Sequence, residues 1–113
     1  MDISRIIEDD ISILSLSGNL LGEKDSVPIV ESVSVSLSQN SNRFIVDLSN
    51  LKYINSTGLS VLITILTKSR NAGGEMVLVN LPAQLVNLLQ ITKLSEVFPQ
   101  AASIEEAKLK YKK

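Results

Sequence analysis

The sequence predicts an α/β domain with a mixed sheet of four to five strands, in which an N-terminal β-hairpin precedes parallel strands, and with about four helices. One observation behind this prediction is that short runs rich in β-branched residues alternate with segments of helical periodicity. Another is the nearly unbroken apolar run at 43–48, which is typical of a strand covered on both faces. With 113 residues the chain is sized for one core, so we expect a single domain over 1–113.

The hairpin is predicted from two β-branched runs, 3–7 and 11–17, on either side of the acidic turn 8–10. A helix is expected next, with Asp25 as its cap and Pro28 in its first turn, where a missing N–H costs nothing. These signals place two strands and one helix in the first third of the chain.

The end of this first helix fits two patterns. Apolar residues recur at helical spacing through 27–37, whereas 32–38 alternates serine with apolar residues as a strand would. Periodicity alone favours a strand. We nevertheless predict a helix, because the next strand joins the sheet in parallel, and a parallel neighbour needs a crossover of about a dozen residues, usually helical.

A central helix is predicted over 57–71, between a turn at 49–54 and the helix-ending Gly73. Its core stripe is formed by the residues at i, i+3, i+4 and i+7, which are Leu59, Leu62, Ile63 and Leu66. Val61 and Ile65 lie off this stripe. We favour their being covered by an adjacent helix, and if they are exposed they become the first candidates for a binding surface.

The second half of the chain predicts a strand at 75–79, a helix beginning at 80–82 and at most a short edge strand at 94–98. A capping box of Ser103 and Glu106 opens a terminal helix. The lysines near its end are expected to be solvated cations that suit the helix dipole, and they are Lys108, Lys110, Lys112 and Lys113.

Composition argues against several classes of function. A net charge of -1 makes nucleic acid an unexpected partner. The chain has no cysteine and no histidine, which removes thiol nucleophiles, histidine bases and the usual zinc ligands. Without a glycine-rich phosphate loop or paired carboxylates, we expect neither an enzyme nor a cofactor. The lack of a long apolar run and of a signal-peptide pattern predicts no membrane insertion and a cytoplasmic location.

The main functional signal lies where the third predicted strand meets the central helix. The first N–H groups of a helix lack internal partners and carry the positive end of its dipole. The segment 57–71 contains no acid, while Lys68 and Arg70 lie in its last turns. We therefore expect Ser56 to carry or face an anion. The alternative is that Ser56 or Thr57 is a plain N-cap, contributing about 0.5–2 kcal/mol of stability.

Three segments together resemble a known family. They are 45–48 (Ile-Val-Asp-Leu), 55–59 (Asn-Ser-Thr-Gly-Leu) and 73–82, which contains Gly-Gly-Glu-Met-Val followed by Asn-Leu-Pro. In this order and spacing they resemble a STAS domain, the fold of bacterial anti-sigma factor antagonists. The resemblance extends over essentially the whole chain and implies the fold predicted above.

The resemblance also implies a function. In that family a serine at the position of Ser56 is phosphorylated by the anti-sigma factor, which is an ATP-dependent serine kinase, and the unphosphorylated antagonist binds the anti-sigma factor and frees the sigma factor. The implied partners are an anti-sigma factor serine kinase and a cognate phosphatase, and the implied state is a monomer or weak dimer. Residues expected at the partner-binding surface are Asn55, Ser56, Thr57, Gly58, Leu59, Val61 and Ile65.

At two places the chain departs from the family's pattern. Asn55 stands where aspartate is usual, and 18–21 lacks the acid usual at the hairpin exit. Asn55 is able to hold the turn through side-chain bonds to the backbone, but it brings no charge. Gly58 has two interpretations, because a small residue admits either a neighbouring loop of the same chain or a partner.

Two other functions remain as alternatives. STAS domains also serve as scaffolds or accessory subunits in stress-sensing assemblies and membrane transporters, which is the second hypothesis. A nucleotide at the helix terminus beside Ser56 is the third. It is disfavoured because the sequence has no glycine-rich phosphate loop.

Overall fold

A five-stranded mixed sheet organises the fold. The structure, a computed structural model, describes residues 2–111. The strand order is β1-β2-β3-β4-β5, with β1 antiparallel to β2 and each later pair parallel, as the sequence predicts. Along the chain the elements are β1 (Asp2–Glu8), β2 (Ile11–Leu20), α1 (Glu23–Ser38), β3 (Arg43–Ile54), α2 (Ser56–Asn71), β4 (Glu75–Val79), α3 (Ala83–Ile91), β5 (Gln100–Ala101) and α4 (Ile104–Tyr111).

Both faces of the sheet are covered, which explains the nearly unbroken apolar run of β3. Buried apolar residues form two clusters, one on each face of the sheet. Phe44 and Val46 lie in the larger cluster with residues of α1, α2 and α3, and Ile45 lies in the cluster on the opposite face. There Ile45 packs with Ala107 of α4. Within 2–111, no helix has the length and apolar character needed to cross a bilayer.

The ambiguous segment is helical, as the crossover argument predicts. Ile29 and Val33 of α1 are completely buried against the sheet. The expected cap at Asp25 is wrong, because the N-cap is Gly22, three residues earlier, and α1 begins at Glu23. Pro28 therefore lies beyond the first turn. The Asp25 carboxylate instead accepts a hydrogen bond from the Leu21 N–H, with N and Oδ2 3.1 Å apart.

The turn predicted at 49–54 is also wrong, since β3 remains extended as far as Ile54. Its second half pairs with β2 alone, through a register that shifts after Ser15 and again after Gly18. β4 pairs with β3 only as far as Asp47. Leu51 and Ile54 are buried, so the extension has its own apolar contacts and carries the chain to the start of α2.

α2 ends as the glycines predict. Gly73 has a φ of 83°, in the left-handed region that favours glycine. The N–H of Gly74 donates to the Ser69 carbonyl at 2.8 Å, which satisfies a terminal carbonyl of the helix.

The edge strand predicted at 94–98 is wrong, because β5 consists of Gln100–Ala101 beside β4. The N–H of Leu94 donates to the Leu89 carbonyl at 2.8 Å, so this part of the chain is engaged in closing α3. Phe98 is 2% exposed and anchors the following turn in the core.

The capping box of α4 is confirmed. Glu106 N donates to Ser103 Oγ at 3.2 Å, and the Glu106 carboxylate accepts from Ala102 N at 3.1 Å. Lys108 is not simply solvated, because it forms an ion pair with Glu8 of β1, and this hydrogen bond raises the pKa of the Lys108 ammonium. Lys110 is exposed, whereas Lys112 and Lys113 lie outside the described residues.

Candidate functional site

Ser56 is the first residue of α2 and follows directly on the carboxyl end of β3. The N-cap is Asn55, whose side-chain Oδ1 accepts from the Gly58 N–H at 2.9 Å. The alternative of a Ser56 or Thr57 cap is therefore wrong, since the amide does the capping. Ser56 is exposed, and its hydroxyl makes no hydrogen bond to any residue of the described chain.

The first turn of α2 is suited to an anion. Asn55 accepts the N–H of Gly58 with its side chain and that of Leu59 with its backbone carbonyl, at 2.9 and 2.8 Å. The N–H groups of Ser56 and Thr57 precede these bonds and are available to an oxyanion. α2 has no acid in its first turn, so the positive end of its dipole is not neutralised from within the helix.

Asn55 also ties α2 to the start of α1. Its Nδ2 donates to the Leu21 carbonyl at 3.0 Å, while the Leu21 N–H donates to Asp25 at 3.1 Å. An aspartate at position 55 has no N–H to give to Leu21, so the amide has a structural role that an acid cannot fill. Asp25 and Asn55 thus bind the same residue, Leu21, through its N–H and its carbonyl respectively, which places a carboxylate beside the acid-free segment 18–21.

The two side-chain hydrogen bonds of Asn55 predict that the wild type is the most stable protein, followed by Asn55→Asp and then Asn55→Ala. Asn55→Ala removes the cap and the Leu21 bond and is expected to lower the unfolding free energy by about 2 kcal/mol. Asn55→Asp keeps the cap acceptor and is expected to lose about 1 kcal/mol, from the bond to Leu21 alone. Urea denaturation followed by circular dichroism measures both values.

Asn50→Ala is the matched control for this series, because Asn50 is exposed on β3 and its side chain makes no hydrogen bond within 2–111. It is expected to change stability by less than about 0.5 kcal/mol. Equal losses for Asn55→Asp and Asn55→Ala would contradict the separate roles of the two amide atoms.

Gly58 makes room for the chain's own loop. A Cβ added there would lie 2.1 Å from the Leu20 carbonyl oxygen and 2.8 Å from Cγ1 of Ile54. Of the two interpretations of this glycine, the structure therefore supports the neighbouring loop. The carboxyl end of β2 rests directly on the first turn of α2.

The residues predicted to bind a partner divide into two groups. Asn55, Ser56 and Thr57 are exposed side by side at the start of α2. The other four are buried, and they are Gly58, Leu59, Val61 and Ile65. Their burial argues against direct contact with a partner, and for Val61 and Ile65 it agrees with the favoured expectation that another helix covers them. α1 packs along α2, so the helix has a wider buried face than its predicted stripe, and Ile65 is completely inaccessible.

Comparison with known proteins identifies the family. The sequence profile described as STAS domain matches residues 2–107. This chain belongs to the STAS domain family. A curated STAS relative, the anti-sigma-B factor antagonist of Bacillus subtilis (strain 168), is 30% identical over 100 residues, which cover 87% of each chain.

Solved structures share the STAS fold. The crystal structure of tm1081 from Thermotoga maritima superposes with a TM-score of 0.88 at 24% identity, covering 98% of this chain and 95% of that one. SpoIIAA, a Bacillus cell fate determinant solved in its phosphorylated form, gives a TM-score of 0.75 at 17% identity, with coverage of 98% and 100%. At these identities the superpositions establish the fold.

One part of this STAS site was not predicted from the sequence. A groove of about 310 Å³ runs between α1 and α2 beside Ser56, and its lining residues are Ser26, Val30, Thr57, Ser60, Val61 and Thr64. Ser60 and Thr64 direct their hydroxyls back to carbonyls of their own helix, at 3.1 and 2.9 Å. Two further apolar side chains, Leu21 and Tyr53, are 43% and 59% exposed on the segments that flank the α2 terminus. The groove depends on how α1 and α2 pack against each other, which the local sequence does not encode.

Proposed function

We propose that this STAS protein is an anti-sigma factor antagonist that binds a kinase-type anti-sigma factor and is released when that kinase phosphorylates Ser56. The observation that carries the proposal is that Ser56 is exposed and that its hydroxyl does not cap α2, because the Asn55 side chain is the N-cap. The relationship to a curated anti-sigma-B factor antagonist supports it. So does the shared fold with SpoIIAA, a protein known in a phosphorylated form.

The proposed switch relies on different effects of phosphate on the free and bound protein. A phosphoserine adds about two negative charges and three acceptor oxygens. In the free protein, the N–H groups and dipole at the start of α2 stabilise these charges, so the fold is preserved. In the complex, the phosphate lies where the partner must make contact, and its desolvation and like-charge repulsion oppose binding.

The contact surface that we propose is centred on Asn55, Ser56 and Thr57, which are the exposed members of the predicted set. The exposed side chains of Leu21 and Tyr53 extend it with apolar area. An anti-sigma factor kinase and a cognate phosphatase act on this surface in the proposed cycle. The free antagonist is a monomer or weak dimer.

The test is a phosphorylation assay. The protein is incubated with Mg-ATP and a purified anti-sigma factor kinase, and the phosphorylated residue is mapped by tandem mass spectrometry. Phosphate is expected on Ser56, with no incorporation into Ser56→Ala and full incorporation into Thr57→Ala. Phosphate on Thr57 or Ser60 instead, or an unmodified chain in a stable complex with the kinase, would refute the proposed switch.

A further inference from the structure

A second cleft lies at the other end of β3 from Ser56, on the face of the sheet that α4 covers. Its volume is about 530 Å³ and its lining residues are Arg43, Glu75, Lys110 and Tyr111. Arg43 and Glu75 are the first residues of β3 and β4 and are paired in register. Lys110 and Tyr111 form the end of α4. The length of β3 therefore separates this cleft from the proposed phosphorylation site.

Arg43 is positioned in this cleft by an aromatic ring. Its guanidinium carbon lies 5.8 Å from the centroid of the Tyr111 ring, within the range of a cation–π contact. The Tyr111 hydroxyl donates to the Phe44 carbonyl at 2.8 Å and so fixes the ring against β3. Within 2–111, the Arg43 side chain makes neither an ion pair nor a hydrogen bond. Arg43 thus lines the cleft with N–H donors that have no hydrogen-bond partner among the described residues.

The charges of the cleft favour an anion. The Glu75 carboxylate is already engaged, with Oε1 3.0 Å from Arg70 Nε and 3.1 Å from Met76 N. Neither Lys110 nor Arg43 forms an ion pair among residues 2–111, and the ion pair with Arg70 offsets the charge of Glu75, so the two cations of the cleft outweigh its one acid. Burial raises the pKa of the Tyr111 phenol, which is therefore neutral and adds no negative charge at physiological pH.

We propose that this cleft binds a small phosphate monoester, with its phosphate held by Arg43 and Lys110. The planar guanidinium donates two parallel hydrogen bonds to a phosphate, and the ammonium contributes a second positive charge. A phosphate dianion neutralises both cations, whereas a carboxylate neutralises one. The cleft volume lies within the usual range for organic ligands, which is why the proposed ligand carries an organic group beside its phosphate.

This site goes beyond the antagonist function and does not depend on Ser56. Titration with ribose 5-phosphate, followed by amide chemical shifts at constant ionic strength, tests it. Saturable shifts are expected at Arg43, Glu75 and Tyr111, with weaker binding of inorganic phosphate and none of ribose. Arg43→Gln is expected to weaken binding at least about tenfold, and Arg43→Lys to weaken it less.

Lys52→Gln is the matched control, because Lys52 is an exposed cation near the opposite end of the same strand. It is expected to leave the affinity unchanged, as is Ser56→Ala, which separates this site from the proposed switch. Linear shifts without saturation, equal affinity for inorganic phosphate, or an unaltered affinity in folded Arg43→Gln would each overturn the proposal.

Discussion

Replacing Ser56 with aspartate is expected to weaken binding of the anti-sigma factor by about a hundredfold while leaving the fold intact. Unfavourable charge contacts in an interface cost several kcal/mol, and each ~1.4 kcal/mol is a factor of ten in affinity. The free protein tolerates the carboxylate, because it lies at the positive end of α2. Isothermal titration calorimetry with the purified kinase measures the affinity, and thermal denaturation measures the stability.

Ser56→Ala is expected to bind as tightly as the wild type and to resist release by ATP. The control for the added charge is Ser34→Asp, the same exchange at an exposed position in the second half of α1. It is expected to leave the affinity unchanged. If Ser56→Asp binds as tightly as Ser34→Asp, then the start of α2 is not the part of the surface that the partner covers.

Gly58→Ala is expected to lower the unfolding free energy by about 2 kcal/mol, although alanine favours a helix over glycine by about 1 kcal/mol. The reason is steric, because the new methyl group would lie 2.1 Å from the Leu20 carbonyl oxygen. To relieve this contact, the first turn of α2 and the end of β2 must move away from each other. That movement also displaces Leu21, so the Asn55 link is strained and partner binding weakens as well.

Gly22→Ala provides the matched control for this exchange, since a Cβ at Gly22 meets nothing within 4 Å. It is expected to change stability by less than about 1 kcal/mol. Urea denaturation of the two variants, with chemical shifts of the Leu20 and Leu21 amides, tests the explanation. A Gly58→Ala protein as stable as the wild type, with unmoved Leu20 resonances, would show that the contact relaxes without cost.

The sequence predicts the fold well because its main signals are local. The apolar run of β3 and the glycines after α2 correctly place elements whose neighbours in the chain determine their structure. α1 is the instructive case, since its alternation favours a strand. There the requirement for a parallel crossover prevails, and burial of Ile29 and Val33 against the sheet holds the helix.

The site is less predictable because its main contacts are between distant segments. Ser56 is identified from the strand-to-helix joint, but its free hydroxyl depends on Asn55, whose amide reaches 34 residues back to Leu21. The burial of Ile65 likewise depends on where α1 lies on α2. Ile65 lies outside the predicted apolar stripe of α2 and is buried in the core nevertheless, because α1 covers a second face of that helix. Local periodicity within α2 does not show where α1 packs.

The order of the strands in space is the same as their order in the chain. Each new strand is therefore added beside the one that immediately precedes it, and each parallel connection contains a single helix. The entropy lost on closing such short loops is small, which favours rapid formation of the sheet. During synthesis the β1–β2 hairpin leaves the ribosome before β3 and presents an edge on which β3 assembles, so the fold is able to grow in the direction of translation.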